Sequence, residues 1–164
     1  MQVILSSREI SQKIERLAHQ LIENCFNESE IYLGAIKGNG IDLAERLQTI
    51  IEDNSNIIVK VFNISLNKEE PWNEPILLSM EKSNLKNAFI VLVDDVLNSG
   101  KTMQYALMEI LQFPTKAIKT VALVDRKHRR FPIKADFVGL SLSTTLKERV
   151  EVDLTSNNEK AYLI

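Results

Sequence analysis

The sequence is poor in the residues that dictate a structure on their own. It has a single cysteine, Cys25, so an internal disulfide is excluded and a thiolate metal site lacks a second ligand. A reducing compartment, the cytoplasm, is the expected location. Aromatic residues are only 6% of the chain, too few for a base-stacking platform on nucleic acid. No run approaches the roughly 20 apolar residues of a membrane helix. The opening MQVILSSREI has no basic stretch ahead of its four-residue apolar run, so no secretory leader is expected there. A formal charge of −2 argues against a protein that coats nucleic acid through a general basic surface, although a local basic patch stays open. Repeats, low-complexity tracts and linkers are missing too. What remains is 164 residues, 45% hydrophobic and 26% charged. A chain this long buries about 70% of its unfolded surface, and one domain over residues 1–164 is expected.

Apolar spacing orders the chain. Ser6-Ser7-Arg8-Glu9 fits a capping box, and Ile10, Ile14, Leu17, Leu21, Ile22 and Cys25 then recur as one helix face. Residues 31–36 read as a buried strand ending near Gly38, and Leu43, Ala44, Leu47, Ile50 and Ile51 as a second helix. A strand follows over 57–62. Residues 64–87 have no clean period and contain Pro71 and Pro75; so long a segment suits a functional flap. The unbroken apolar run 88–93 predicts a central parallel strand. Met103, Ala106, Leu107, Ile110 and Leu111 predict a third helix, stopped near Pro114. Strands over 117–124 and 135–140 follow. Residues 149–154 and 160–164 are read as an edge hairpin across Ser156-Asn157-Asn158. This alternation predicts an α/β fold with a mostly parallel sheet, its ligands at the carboxyl ends of the strands.

Three of the five glycines, Gly38, Gly40 and Gly100, fall in two strand-to-helix loops, where phosphates bind. Two common motifs fail there. Gly100-Lys101-Thr102 resembles the end of a P-loop, but Asp95 stands where that loop needs glycine, and a carboxylate would repel its phosphates. Gly38-x-Gly40 would need a third glycine where Leu43 stands. What stands instead is an apolar strand ending in Asp94-Asp95, then Val96-Leu97-Asn98-Ser99-Gly100-Lys101-Thr102-Met103. Paired carboxylates suit sugar hydroxyls or a divalent cation. Helix N-terminal amides beside the Ser99 and Thr102 hydroxyls suit a monophosphate. A ribose 5-phosphate carries both features.

Residues 94–103 resemble the phosphoribosyl pyrophosphate (PRPP) motif of the type I phosphoribosyltransferases. The wider match is nearer to the family of bifunctional pyrimidine-operon attenuators and uracil phosphoribosyltransferases. Ile36-Lys37-Gly38-Asn39-Gly40 sits at that family's pyrophosphate loop, and residues 123–139, with Asp125-Arg126 and Phe131-Pro132, resemble its segment after the fourth strand. The resemblance implies a sheet flanked by helices, with a flap and a small hood, and a homodimer. It implies transfer of ribose 5-phosphate from PRPP to a nucleobase, with Mg2+ and release of pyrophosphate. Asp94 and Asp95 would hold the ribose hydroxyls, directly or through Mg2+. Asn98, Ser99, Gly100, Lys101 and Thr102 would take the 5-phosphate. Lys37, Gly38, Asn39 and Gly40 would receive pyrophosphate, and Arg126, Val138 and Leu140 would lie near the base.

Two departures shape the reading. The family's pyrophosphate loop carries a hydroxyl and a basic residue where this chain has Gly38-Asn39, which leaves Lys37 as that loop's cation and implies slow turnover. Asn98 stands where purine-using relatives often have a general-base aspartate; an amide takes no proton, which favours uracil. The alternative is a regulator with weak or no turnover, either a nucleotide sensor or an RNA-binding attenuator. RNA contact through residues 126–130 and Lys134 ranks below a solvated loop or a base-site wall. Plainer roles compete elsewhere: Lys37 as a surface charge, Lys101 facing solvent, Cys25 as core packing, and His19 and His128 without metal partners.

Overall fold

The computed structural model describes residues 1–155 and 157–164. Strand β1 (Gln2–Leu5) precedes helix α1 (Ser7–Asn24), which is closed at its start by the anticipated capping box. The Ser6 amide donates to Glu9 Oε2 at 2.7 Å and the Glu9 amide to Ser6 Oγ at 3.3 Å. Then come β2 (Glu30–Ile36), α2 (Asn39–Asn54), β3 (Ile58–Ser65), the short β4 (Leu77–Leu78) and β5 (Phe89–Leu97). Helix α3 (Lys101–Ile110), β6 (Ala117–Asp125), β7 (Phe137–Ser141), β8 (Val150–Asp153) and β9 (Lys160–Leu163) complete the order.

Six strands form the main sheet in the order β4-β3-β2-β5-β6-β7, parallel except for β4. Its central strands read as continuous apolar runs because both faces are covered, and the pleat divides each run in two. Ile31, Leu33, Val91 and Val93 join one cluster with Ile14 and Leu17 of α1 and Leu43 and Leu47 of α2. Tyr32, Ile90 and Leu92 join the other, with Met103 and Ile110 of α3. Cys25 is buried in the first cluster, and burial pushes its thiol up to about 11, so it serves as packing.

Residues 64–87 prove more ordered at their ends than their lack of period suggests. Ser65 still belongs to β3, β4 pairs back on it through Ile64↔Leu78 and Ser65↔Leu77, and Leu85 is buried in a 3-10 turn. The C-terminal hairpin pairs as expected, with Val150↔Leu163 and Asp153↔Lys160, but it is not an edge of the main sheet. With β1, which the apolar spacing did not announce, it makes a separate sheet in the order β1-β9-β8, the hood. The proposed turn residue Ser156 lies outside the described residues.

The chain runs from β2 outward to β3, then returns to place β5 on β2's other side. At such a reversal the loops after the two neighbouring strands diverge and leave a crevice at the carboxyl edge. The two loops there are 37–40 and 98–100, the two singled out by their glycines.

Candidate active site

Asp94 and Asp95 follow the apolar run of β5, the first buried and the second half-buried. Asp94 is 5% exposed, and the amide of each following residue donates to the preceding carboxylate: Asp95 N to Asp94 Oδ1 and Val96 N to Asp95 Oδ1, both at 2.9 Å. Burial, and secondarily the charge of Asp95, hold the Asp94 carboxyl well above the usual range; a nearby Lys68 opposes this. Two acids that resist sharing negative charge, made of hard oxygen donors, fit a divalent cation completed by ligands from a bound substrate.

Opposite the acids stands the first turn of α3. Gly100 is its N-cap, left-handed at φ 87°, and a Cβ there would lie 2.6 Å from Ile133 Cγ2, so only glycine fits. Ser99 Oγ accepts from Lys101 N at 3.3 Å. The turn is braced from outside. Arg130 N and Phe131 N donate to Ser99 O at 2.9 and 3.1 Å, and Arg129 Nη1 donates to Asn98 O at 2.7 Å. A cavity of about 310 Å³ is lined by residues 97–103 with Lys68 and Glu69. A crystal grown in sulfate or phosphate is expected to carry the anion on the amides of residues 98–102. An ordered anion elsewhere, with that turn empty at saturating phosphate, would count against a phosphate site.

A second cavity, of about 320 Å³, adjoins it, lined by Asp94, Asp95, Asn39, Arg126 and the hood strand β8. Gly40 lets α2 start against β5, since a Cβ would sit 3.0 Å from Val93 O. Asn39 Nδ2 donates to Asp95 Oδ2 at 3.2 Å and to Val152 O at 2.7 Å, tying loop, acid and hood together. Arg149 and Ile164 exchange both backbone hydrogen bonds. The antiparallel alternation then turns the N–H and C=O of Val150 and Val152 to the free edge of β8, on the cavity side. A donor and an acceptor side by side on a strand edge suit the edge of a planar, hydrogen-bonding ring.

The other sequence-derived candidates are placed differently. Arg126 lines the cavity, but it is 8% exposed and its guanidinium is spent internally. It donates to Asn98 Oδ1 at 3.0 Å, to Thr144 Oγ1 at 3.1 Å and to the carbonyls of Thr145 and Glu148, and it contacts His128 Nδ1 at 3.2 Å. Val138 and Leu140 do not line either cavity: β7 is the outer strand of the main sheet, its Val138 and Gly139 carbonyls held by Arg16, and the hood supplies the wall instead. Lys37 is exposed and outside both linings; its backbone N–H goes to Ile64 O at 2.9 Å. Lys101 is not merely solvent-facing, since its Nζ donates to Glu69 O at 2.8 Å. Reading the sequence missed Lys68, Arg149, Val150 and Glu151, which line the site from a segment without period and from a hairpin that looked peripheral.

Residues 2–155 match the model of the phosphoribosyl transferase domain. The chain belongs to this family. Curated relatives place this phosphoribosyl transferase domain further, with the bifunctional protein PyrR. The PyrR of Herpetosiphon aurantiacus is 35% identical over 158 residues, covering 93% of this chain and 89% of that protein. That of Macrococcus caseolyticus is 32% identical over 167 residues, covering 98% and 96%. In fold, this phosphoribosyl transferase domain is similar to the hypoxanthine phosphoribosyltransferase of Trypanosoma cruzi, with TM-score 0.79 and 17% identity over 98% of this chain and 95% of that one. It is also similar to a hypoxanthine-guanine phosphoribosyltransferase from Bacillus anthracis, with TM-score 0.72 and 20% identity over 87% and 83%. Among the described residues of this phosphoribosyl transferase domain, no helix is long and apolar enough to cross a membrane.

Proposed function

We propose that this chain is a nucleobase phosphoribosyltransferase that transfers ribose 5-phosphate from PRPP to uracil with release of pyrophosphate. The observation that carries the reading is the acid pair Asp94-Asp95 facing the 98–102 turn across adjoining cavities at the switch between β2 and β5. A ligand that joins a diol to a phosphate, as a ribose 5-phosphate does, would span both. Family membership supports the same substrate class.

In this reading the turn fixes the 5-phosphate while Asp94 and Asp95 hold the ribose hydroxyls, which presents C1 to the cavity beneath β8. The free backbone edge at Val150 orients the base so that its ring nitrogen faces C1 as the bond to pyrophosphate breaks. Positioning of this kind removes much of the barrier to a two-partner displacement. Asp94 and Asp95 would hold Mg2+, which when bound offsets the charge of the leaving pyrophosphate. The outer part of 64–87 acts as a flap, and its closure keeps water from C1. Asn98 takes no proton and is already bonded to Arg126, so the site offers no general base there, which supports uracil over a purine. A cytoplasmic homodimer is the assembly and compartment that go with this reading.

The test is PRPP- and Mg2+-dependent ribosylation of uracil, hypoxanthine, guanine and xanthine in parallel. Uracil is expected to react, slowly by the standard of enzymes with a charged pyrophosphate loop. Reaction of a purine alone would overturn the base assignment, and PRPP binding with no turnover on any base would favour a regulator. RNA contact keeps support from the exposed Lys127, Arg130 and Lys134. It stands second because Arg126 and Arg129 of the same run are turned inward, the latter onto Asp125 at 2.7 Å.

A further inference from the structure

We propose that Lys68, carried on the flap, is the cationic catalytic residue that meets the pyrophosphate in this chain. The assignment rests on the reading of the site as a PRPP site and adds a residue to it.

The 37–40 loop cannot fill this role with its side chains. Lys37 lies outside both cavities, Gly38 and Gly40 have no side chain, and the Asn39 amide is committed to Asp95 and the Val152 carbonyl. Lys68 reaches the same place from the opposite wall. It lines both cavities, and its Nζ lies 4.0 Å from where a Cβ on Gly38 would sit. The bare backbone at Gly38, at φ 114°, therefore opens the space into which the ammonium points. Lys68 is also close enough to Asp94 to draw that carboxyl's proton affinity down against the effect of burial.

The competing cations are occupied. Arg126 is consumed by its hydrogen bonds, Arg149 sits 3.8 Å from Glu151, and Lys101 is bound to Glu69 O. Among the described residues, Lys68 is the one cation lining these cavities whose charged group has no hydrogen-bond or ion-pair partner. An ammonium held near Asp94 without pairing to it is free to bond an incoming polyanion.

The backbone around Lys68 is anchored, so the position is built. Asn67 Oδ1 accepts from the amides of Glu69 and Glu70 at 3.1 and 3.0 Å. Lys101 grips Glu69 O and lies 5.7 Å from the Trp72 ring centroid. Trp72 in turn meets Tyr105 of α3 at 6.2 Å, and Tyr105 meets Phe131 at 6.4 Å. The flap is thus fastened to the helix whose first turn forms the phosphate site, and a bound 5-phosphate and a correctly placed Lys68 share one support.

The experiment compares the full chain with Lys68→Ala and Lys68→Arg, using calorimetry with Mg2+·pyrophosphate and with ribose 5-phosphate, and steady-state uracil ribosylation. Lys68→Ala should lower pyrophosphate affinity and kcat each by about ten- to a hundredfold, the effect of one charge-assisted contact. Ribose 5-phosphate, which ends short of the pyrophosphate region, should lose clearly less affinity than pyrophosphate, and Lys68→Arg should restore most of the losses. Wild type that binds both ligands, with Lys68→Ala unchanged in pyrophosphate affinity and kcat, overturns the Lys68 assignment alone. Equal loss of ribose 5-phosphate binding also overturns it, since Lys68 would then be holding the site's shape. Wild type that binds neither ligand overturns the PRPP reading and this assignment with it.

Discussion

Replacing Asp94 and Asp95 together with asparagine is expected to lower the affinity for PRPP with Mg2+ by roughly a hundredfold or more, because two charge-assisted interactions are removed at once. The fold should survive, and at neutral pH it should tighten. Burial and the neighbouring Asp95 raise the Asp94 carboxyl's affinity for a proton in the folded chain, whereas the unfolded chain gives that proton up at the ordinary carboxylate pKa. Above that ordinary pKa the unfolded state is therefore relatively favoured, and the penalty fades as pH falls through the folded value. Asp94→Asn removes the penalty, so its melting temperature should exceed the wild type's near pH 7 and converge with it in acid. The same shift makes cation binding expel a proton, so the wild-type affinity for PRPP with Mg2+ should rise with pH across that window. Calorimetry in buffers of different ionisation enthalpy, with melting curves from pH 4 to 8, checks all three. Unchanged PRPP affinity in the double variant would remove the acids from the site.

Arg126→Met should produce the largest loss of stability of any single change at the site, about 3 kcal/mol or more by urea unfolding. The side chain is 8% exposed and satisfies acceptors on three segments: Asn98 on the phosphate turn, Thr144 and Thr145 beyond β7, and Glu148 ahead of β8. Methionine fills much of the volume but leaves these acceptors dry and unpaired, at about 1–3 kcal/mol for each one that water cannot reach. PRPP affinity should fall as well, because Asn98 loses its tether. An unfolding midpoint equal to the wild type's would show that the turn and the hood hold their positions without the arginine.

The legible parts of the structure were those fixed by local chemistry. Ser6 and Glu9 announced a helix start, the central strands announced burial on both sides, and Asp94 to Thr102 announced a strand ending in acids and a helix opening at Gly100. Parts decided by distant pairing were not legible. Strand β1 is four residues long and is stabilised by β9, a partner at the other end of the chain. The resemblance put Val138 and Leu140 near the base, whereas the residues that line the cavity come from β8, held onto the crevice by Asn39 and Arg126. Gly38-Asn39 looked like a loop stripped of its grip on pyrophosphate. In the structure Asn39 is a clamp and Gly38 is the clearance for Lys68, a residue whose surrounding sequence shows no periodicity that could flag it.

The pairing of Gln2 with Leu163 has a consequence for how the molecule comes into being. During synthesis, the strands and helices that hold the acids and the 98–102 turn have emerged once β6 has, and the residues that brace the turn, 126–133, follow directly. The cavity wall made by β8 comes later: among the described residues β8 pairs with β9 alone, and β1 waits for that same late strand. A ribosome therefore delivers the β5 acids and the start of α3 early and the β8 wall of the crevice last. In the proposed reading, a chain cut short within its final residues would lose the surface that meets the base before it lost the one that meets the phosphate.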